Sequence, residues 1–266
     1  MGKTKITNRQ LCFITFGLSL GGSVLVVSAL MASIEKQDAW LGAIATAVFG
    51  FPVIWILIFL GRRFPDKNSF SRAFEIFILI SASLFLIATV LILPNAKIEN
   101  LQPVLENGLS AVFKSAFFMS AFVTYPVYTL MMVYPTHTSD LKAAGKSMLT
   151  GYLFSSVISF LAIILSILVL GWQITANTRY PAFRLAKEIE MGVVFTRIEF
   201  IIFFSWILTQ FIINTLLFYA AVKGIAQLFG INDHKKIILP FALVVFVLSG
   251  VVFPDVFYQE NWIVFV

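Results

Sequence analysis

Phe16-Gly17-Leu18-Ser19-Leu20-Gly21-Gly22-Ser23 lies inside the first long apolar run of the chain and interrupts it halfway. Three glycines and two serines in eight residues weaken a helix and let a second backbone come close. In lipid, loosened backbone persists only where protein buries it or where it lines a cavity, because hydrocarbon cannot hydrogen-bond it. A second interruption is expected at Thr124-Tyr125-Pro126-Val127-Tyr128, where Pro126 removes a helical donor from another apolar run. A pair of broken helices is the sequence pointer to a small-solute site at the membrane midplane. Small residues that only allow tight helix packing would give the same glycine run, and both readings stay open.

Hydrophobic residues make up 59% of the chain, charged residues 12%, and the mean hydropathy is +0.94, which excludes an ordinary soluble domain. The expected fold is a single all-α polytopic membrane domain over residues 1–266. Roughly seven transmembrane helices are expected, at 11–30, 40–60, 74–93, 116–133, 148–170, 200–222 and 237–253. The runs are continuous rather than alternating, which speaks against strands.

The formal net charge of +6 sorts by loop. With the N-terminus inside, Lys3, Lys5, Arg9, Arg62, Arg63, Lys67, Arg72, Lys142, Lys146, Lys223, Lys235 and Lys236 share the cytoplasmic side. Lys36, Lys97, Lys114, Arg179, Arg184, Lys187, Arg197 and most of the acids fall on the other. This positive-inside bias predicts a cytoplasmic N-terminus, makes the lipid bilayer the partner of the apolar runs, and leaves no nucleic-acid role to invoke. Between spans five and six, Phe183, Ala186 and Ile189 recur at helical spacing, so a short amphipathic helix is expected on the outer face.

No enzyme, metal or cofactor chemistry is expected. Cys12 is the single cysteine, so no intramolecular disulfide or cysteine cluster can form. His137 and His234 stand far apart in internal loops without metal-ligand spacing, and the glycine run matches no nucleotide fingerprint. Glu75, Lys114, Arg197 and Glu199 sit at span ends, where they can snorkel to the interface. The lack of a mid-span charge favours ligand sensing over ion-coupled pumping.

Four stretches carry a family likeness: Lys5-Ile6-Thr7-Asn8-Arg9-Gln10-Leu11; Gln37-Asp38-Ala39-Trp40-Leu41 leading to Arg62-Arg63-Phe64-Pro65; Glu99-Asn100-Leu101-Gln102-Pro103-Val104-Leu105-Glu106-Asn107-Gly108; and the run from Tyr180-Pro181 through Arg197-Ile198-Glu199 to Ala226-Gln227-Leu228-Phe229-Gly230. In this order they resemble the B-subunit family of spore germinant receptors, within the amino acid/polyamine/organocation (APC) transporter superfamily. The resemblance implies a LeuT-like bundle of two inverted five-helix repeats, here incomplete. Family helices 3 and 4 would fall between Pro65 and Ser71, and no helix 10 follows span seven. Where the family places a glycine and an acidic residue after its aromatic-proline break, this chain has Val127, Tyr128 and Thr129, so no carboxylate is expected there.

By the same likeness, a pocket for an amino acid or similar small nutrient would be lined by Gly17, Ser19, Gly21, Gly22 and Ser23 from span one. Thr124, Tyr125, Pro126 and Tyr128 would join from span four, and Gln210 and Asn214, four apart on one helix face, from span six. The latter pair equally suits interhelical hydrogen bonding. The implied setting is the spore inner membrane, with an A-type membrane subunit and a C-type lipoprotein as partners. Two alternatives remain open at this level: a binding-silent truncated assembly subunit, and an amino-acid permease.

Overall fold

The computed structural model describes residues 7–21, 23–48, 52, 73–130, 140–188 and 198–252. Every regular element among these residues is helical, as the continuous apolar runs require. The helices are α1 (Asn8–Gly21), α2 (Ser23–Glu35), α3 (39–48), α4 (Ala73–Ile92), α5 (Gly108–Thr124), α6 (Leu141–Asn177), α7 (Pro181–Lys187), α8 (Ile198–Leu228) and α9 (Lys235–Val252). Short 3-10 turns occupy Lys36–Asp38, Leu93–Asn95, Ile98–Leu101 and Tyr125–Thr129. Among the described residues two helical stretches are long and apolar enough to cross a membrane, Lys142–Asn177 and Thr209–Leu228, and Ala82–Asn95 is a shorter apolar one. Gly22, most of the second apolar run beyond residue 48, and His137 lie outside the described residues.

Local chemistry explains where the helices begin. Thr7 and Gln10 form a reciprocal capping box before α1: the Gln10 amide donates to Thr7 Oγ1 at 3.2 Å and the Thr7 amide to Gln10 Oε1 at 3.0 Å. Asp140 caps α6, its Oδ1 accepting from the Lys142 and Ala143 amides at 2.9 and 3.1 Å.

By contacts the chain divides into two units, Met1–Asn214 and Thr215–Val266. The first is organised around α6, against which α1, α2, α4, α7 and the 3-10 turns at 36–38 and 98–101 all pack. Successive faces of α6 meet different neighbours. Ile158 packs with Phe16 and Leu20 of α1. Ile163 and Ile167 join Met31, Ala32, Ala39, Ala43 and Met119 in a second cluster, and Leu165 and Leu170 join Ala88, Ile92 and Leu185 in a third. Tyr152 is fully buried and donates its hydroxyl to Ala47 O of α3 at 3.1 Å. The tightest crossing is at Gly151, where a Cβ would stand 2.2 Å from Cys12 O and 3.0 Å from Phe16 N of α1.

At Gly171 the backbone turns to φ 78°, ψ 159°, and α6 folds sharply over. Buried Thr175 closes the fold, donating its hydroxyl to Ser166 O at 3.0 Å and to Gly171 O at 2.8 Å. Across nine residues such a bond is impossible in a straight helix, which rises about 1.5 Å per residue. The segments expected on the outer side gather at this end of α6. Lys97 N and Asn100 Nδ2 both donate to Leu168 O, at 2.9 and 2.8 Å, and Asn95 Nδ2 donates to Glu188 O at 2.7 Å.

One expectation changes. The short helix after α6 exists as α7 with Ala186 buried as expected, but half-buried Phe183 does not lead its apolar face, and Ile189 lies outside the described residues. Pro181, Ala182, Leu185 and Ala186 are the buried residues. Ala182, Leu185 and Ala186 cover an apolar crevice shared with Phe85, Ala88, Ile92 and Leu165. The reason is physical: this face meets α4 and α6, and burial there removes more apolar area from water than an interfacial site would.

The second unit holds the end of α8 and all of α9. Within it Phe218 and Phe241 rings pack at 5.5 Å, and His234 meets Tyr219 edge-on at 6.3 Å.

Candidate functional site

The break expected at Pro126 is present. α5 ends at Thr124 and the chain tightens into a 3-10 turn over Tyr125–Thr129 with Pro126 in its first turn. Pro126 has no N–H to give the α-helical ladder, so shorter bonds replace it. Two threonines satisfy nearby carbonyls, Thr124 Oγ1 donating to Ser120 O and Thr129 Oγ1 to Pro126 O, each at 2.6 Å. This turn packs against α1. The structure therefore brings one proline-broken segment to the helix that carries the glycine-serine run.

The residues expected to line a pocket are placed unevenly. On α1, Gly17 and Ser19 are buried. Gly21 and Ser23 belong to α1 and α2, and Gly22 between them lies outside the described residues. On the broken segment Thr124 and Val127 are buried and Pro126 is half-buried. Tyr125 and Tyr128 are 67% and 47% exposed, so the aromatic rings turn away from the protein interior. On α8, Gln210 is half-buried and Asn214 exposed, while Thr209 and Ile213 take the buried face. No group of three metal-ligating side chains occurs among the described residues.

A second polar constellation, which sequence reasoning did not single out, lies beyond span one. The turn Lys36–Asp38 holds the loop Pro103–Glu106 with three consecutive side chains. Gln37 Nε2 donates to Pro103 O and, at 3.2 Å, to Glu106 Oε2. Lys36 Nζ pairs with Glu106 Oε2 at 3.5 Å and stands 5.4 Å above the Trp172 ring. The Leu105 amide donates to Asp38 Oδ1 at 2.8 Å. Gln37 and then Lys36 hold the exposed Glu106 carboxyl below the usual carboxylate range. Both sides of this clasp carry a non-glycine residue at positive φ, Lys36 at 56° and Leu105 at 60°. Each such residue costs on the order of 1–2 kcal/mol, so the side-chain bonds hold strained backbone in place.

Behind the turn is Glu35, fully buried, its carboxyl seated over Gly42. Burial pushes its pKa up to about 8, the Gly42 amide opposing and Asp38 adding to the shift. A signal was present in the sequence: Glu35 continues the apolar run of α2 with Met31 and Ala39 one turn either side, and so has no charge partner on its own helix face. We expect Gln37→Ala to lower stability by about 1 kcal/mol through the lost bond to Pro103 O. Thermal unfolding should also show this deficit shrinking at acid pH, once Glu106 is protonated and no longer draws on the turn. The sign follows from a depressed carboxylate pKa, whose contribution is present above the unfolded value and lost as pH falls.

Among the described residues every regular element is helical, and two stretches are long and apolar enough to cross a membrane. A family model described as spore germination protein matches residues 5–71 and 67–254, and the chain belongs to that family. It is 28% identical over 166 residues to spore germination protein KB of Bacillus subtilis (strain 168), covering 61% of this chain and 44% of that one. It is 26% identical over 249 residues to spore germination protein YndE of the same organism, covering 90% and 64%, and 23% identical over 186 residues to spore germination protein A2, covering 70% and 50%. The chain thus spans about half to two-thirds of the length of the curated relatives it matches. No solved structure matches. The two stretches of the family match overlap at 67–71.

Proposed function

We propose that this protein is the B-type subunit of a spore germinant receptor, a transporter-like membrane protein that binds a small nutrient such as an amino acid and triggers germination. The observation that carries this reading is the Tyr125–Thr129 turn, broken at Pro126 and packed against α1, the helix on which Gly17 and Ser19 are buried. Interrupted backbone at such a crossing supplies N–H and C=O groups for the two ends of a zwitterion. In this reading the chain is one membrane domain of about seven spans with a cytoplasmic N-terminus in the spore inner membrane. An A-type membrane subunit and a C-type lipoprotein complete the receptor, and the protein senses without catalysing a reaction.

A thermal-shift screen of the detergent-purified chain against L-amino acids, sugars and nucleosides tests the proposal. A ligand at about a hundred times its dissociation constant adds roughly 2.7 kcal/mol of stability. We expect a saturable shift that Ser19→Val, on the buried face of α1, abolishes, and a shift indifferent to Ser19 would sink this site. The family match divided at 67–71 favours a second reading. A chain in which family helices 3 and 4 are absent there would serve as an assembly subunit that binds no nutrient, and no shift from well-folded protein is its expected result. Accumulation of labelled amino acid in vesicles would instead mark a permease.

A further inference from the structure

Glu35 closes α2, five residues past the first apolar run, and it is buried although it is an acid. Its carboxyl occupies the space that a side chain at Gly42 would fill: a Cβ there would stand 2.0 Å from Oε1 and 2.4 Å from Oε2. Neither oxygen makes a well-formed hydrogen bond, and the Gly42 amide is the polar group that eases the burial. Among the described residues no cation compensates. Lys36, the next residue, turns to Glu106, and Asp38, three residues on, is another buried acid. The three residues that follow Glu35 are the ones that hold the Pro103–Glu106 loop.

A neutral carboxyl fits this seat, whereas a carboxylate would be almost unsolvated there. The exposed side of the turn offers water a few residues away. Lys36 and Leu105, both at positive φ, relax when the turn and loop separate. We propose that Glu35 is a proton-binding site whose occupancy keeps the 36–38 turn seated on the 103–106 loop, and that loss of the proton unseats the turn and frees the loop.

Burial is the leading cause that raises Glu35 to about 8, and Asp38 is the charged group that adds to it. The other charged groups on elements packed against this end are Lys36, then Lys97, Glu99 and Glu106 of the loop, Lys114 of α5, and Arg184, Lys187 and Glu188 at α7. None of them contributes to that shift. The sign is fixed by linkage. A carboxyl whose folded pKa lies above its unfolded value gives stability that is full at acid pH and lost as pH rises through about 8.

Hydrogen exchange on the purified full chain, without any nutrient, reads this directly, because the Leu105 amide is bonded to Asp38. After correction for intrinsic exchange, we expect Leu105 protection to hold below about pH 8 and to fall up to tenfold per pH unit above it. Amides of the α6 core stay protected throughout. Glu35→Gln, which keeps the shape of the neutral acid, removes the pH step. Gly42→Ala, which expels the carboxyl from its seat, exposes Leu105 already at pH 6. The proposal is overturned if Glu35→Gln keeps the step, if Gly42→Ala leaves Leu105 protected at pH 6, or if the α6 core opens together with the loop. None of these results depends on nutrient binding, so failure here leaves the receptor reading standing.

Discussion

Gly151→Ala is expected to destabilise the protein by about 3 kcal/mol or more, and Gly151→Leu to leave no monodisperse folded chain. The first added methyl would sit 2.2 Å from Cys12 O, a backbone atom held inside α1. A flexible side chain could swing aside, but a helix backbone moves only if the whole crossing opens. Opening it would also separate Phe16 and Leu20 from Ile158. Ser147→Ala, one turn earlier on the same helix, is the control. Its hydroxyl bonds to Ala143 O of its own helix, so the change should stay within about 0.5 kcal/mol. Size-exclusion profiles and thermal unfolding in detergent decide the matter, and a Gly151→Ala protein as stable as the control would refute the close crossing.

Gly171→Ala should cost a similar amount for a different reason. A Cβ at this position meets nothing nearer than Gln173 Oε1 at 3.7 Å, so crowding is absent. The backbone at φ 78°, ψ 159° is the cause, since that region is essentially closed to residues with a side chain. Asparagine tolerates the left-handed helical region but not this one, so Gly171→Asn should fare no better. If the fold at 171 straightens, Thr175 loses its bond to Ser166 O, and the loop amides of Lys97 and Asn100 lose the geometry of their shared acceptor Leu168 O. We therefore expect a loss of about 3 kcal/mol in thermal unfolding, with faster exchange at the Lys97 amide. Wild-type stability in the alanine variant would show that the bend is not required.

These two glycines also show how reading a sequence and reading a fold differ. The eight-residue run at 16–23 drew attention because its glycines are close together. Yet a close helix crossing of α1 uses a lone glycine, Gly151 of α6, which meets Cys12 O one turn before that run. Nothing in the neighbourhood of Gly151 marks it, since spacing along one chain does not say which backbone will arrive from another. Pro126 was legible because its effect is local. A missing N–H breaks the ladder wherever the helix sits, and the 3-10 turn at Tyr125–Thr129 follows. The orientation of Tyr125 and Tyr128 was not legible, because it depends on which face of that turn α1 covers.

What the sequence determined by itself is the class. Continuous apolar runs with few charges dictate helices, and the alternation of basic loops predicts which segments share a side. In the structure, the segments at 36–38, 93–106 and 166–188 meet at one end of α6. Only the tertiary structure decided that α6 is the hub, that α7 buries Leu185 beside Ala186 while Phe183 stays half-buried, and that Glu35 is buried over Gly42. The division has one physical cause. Hydropathy and backbone donors act on each segment alone, whereas burial, close approach and the pKa of a carboxyl are set by neighbours far away in the chain.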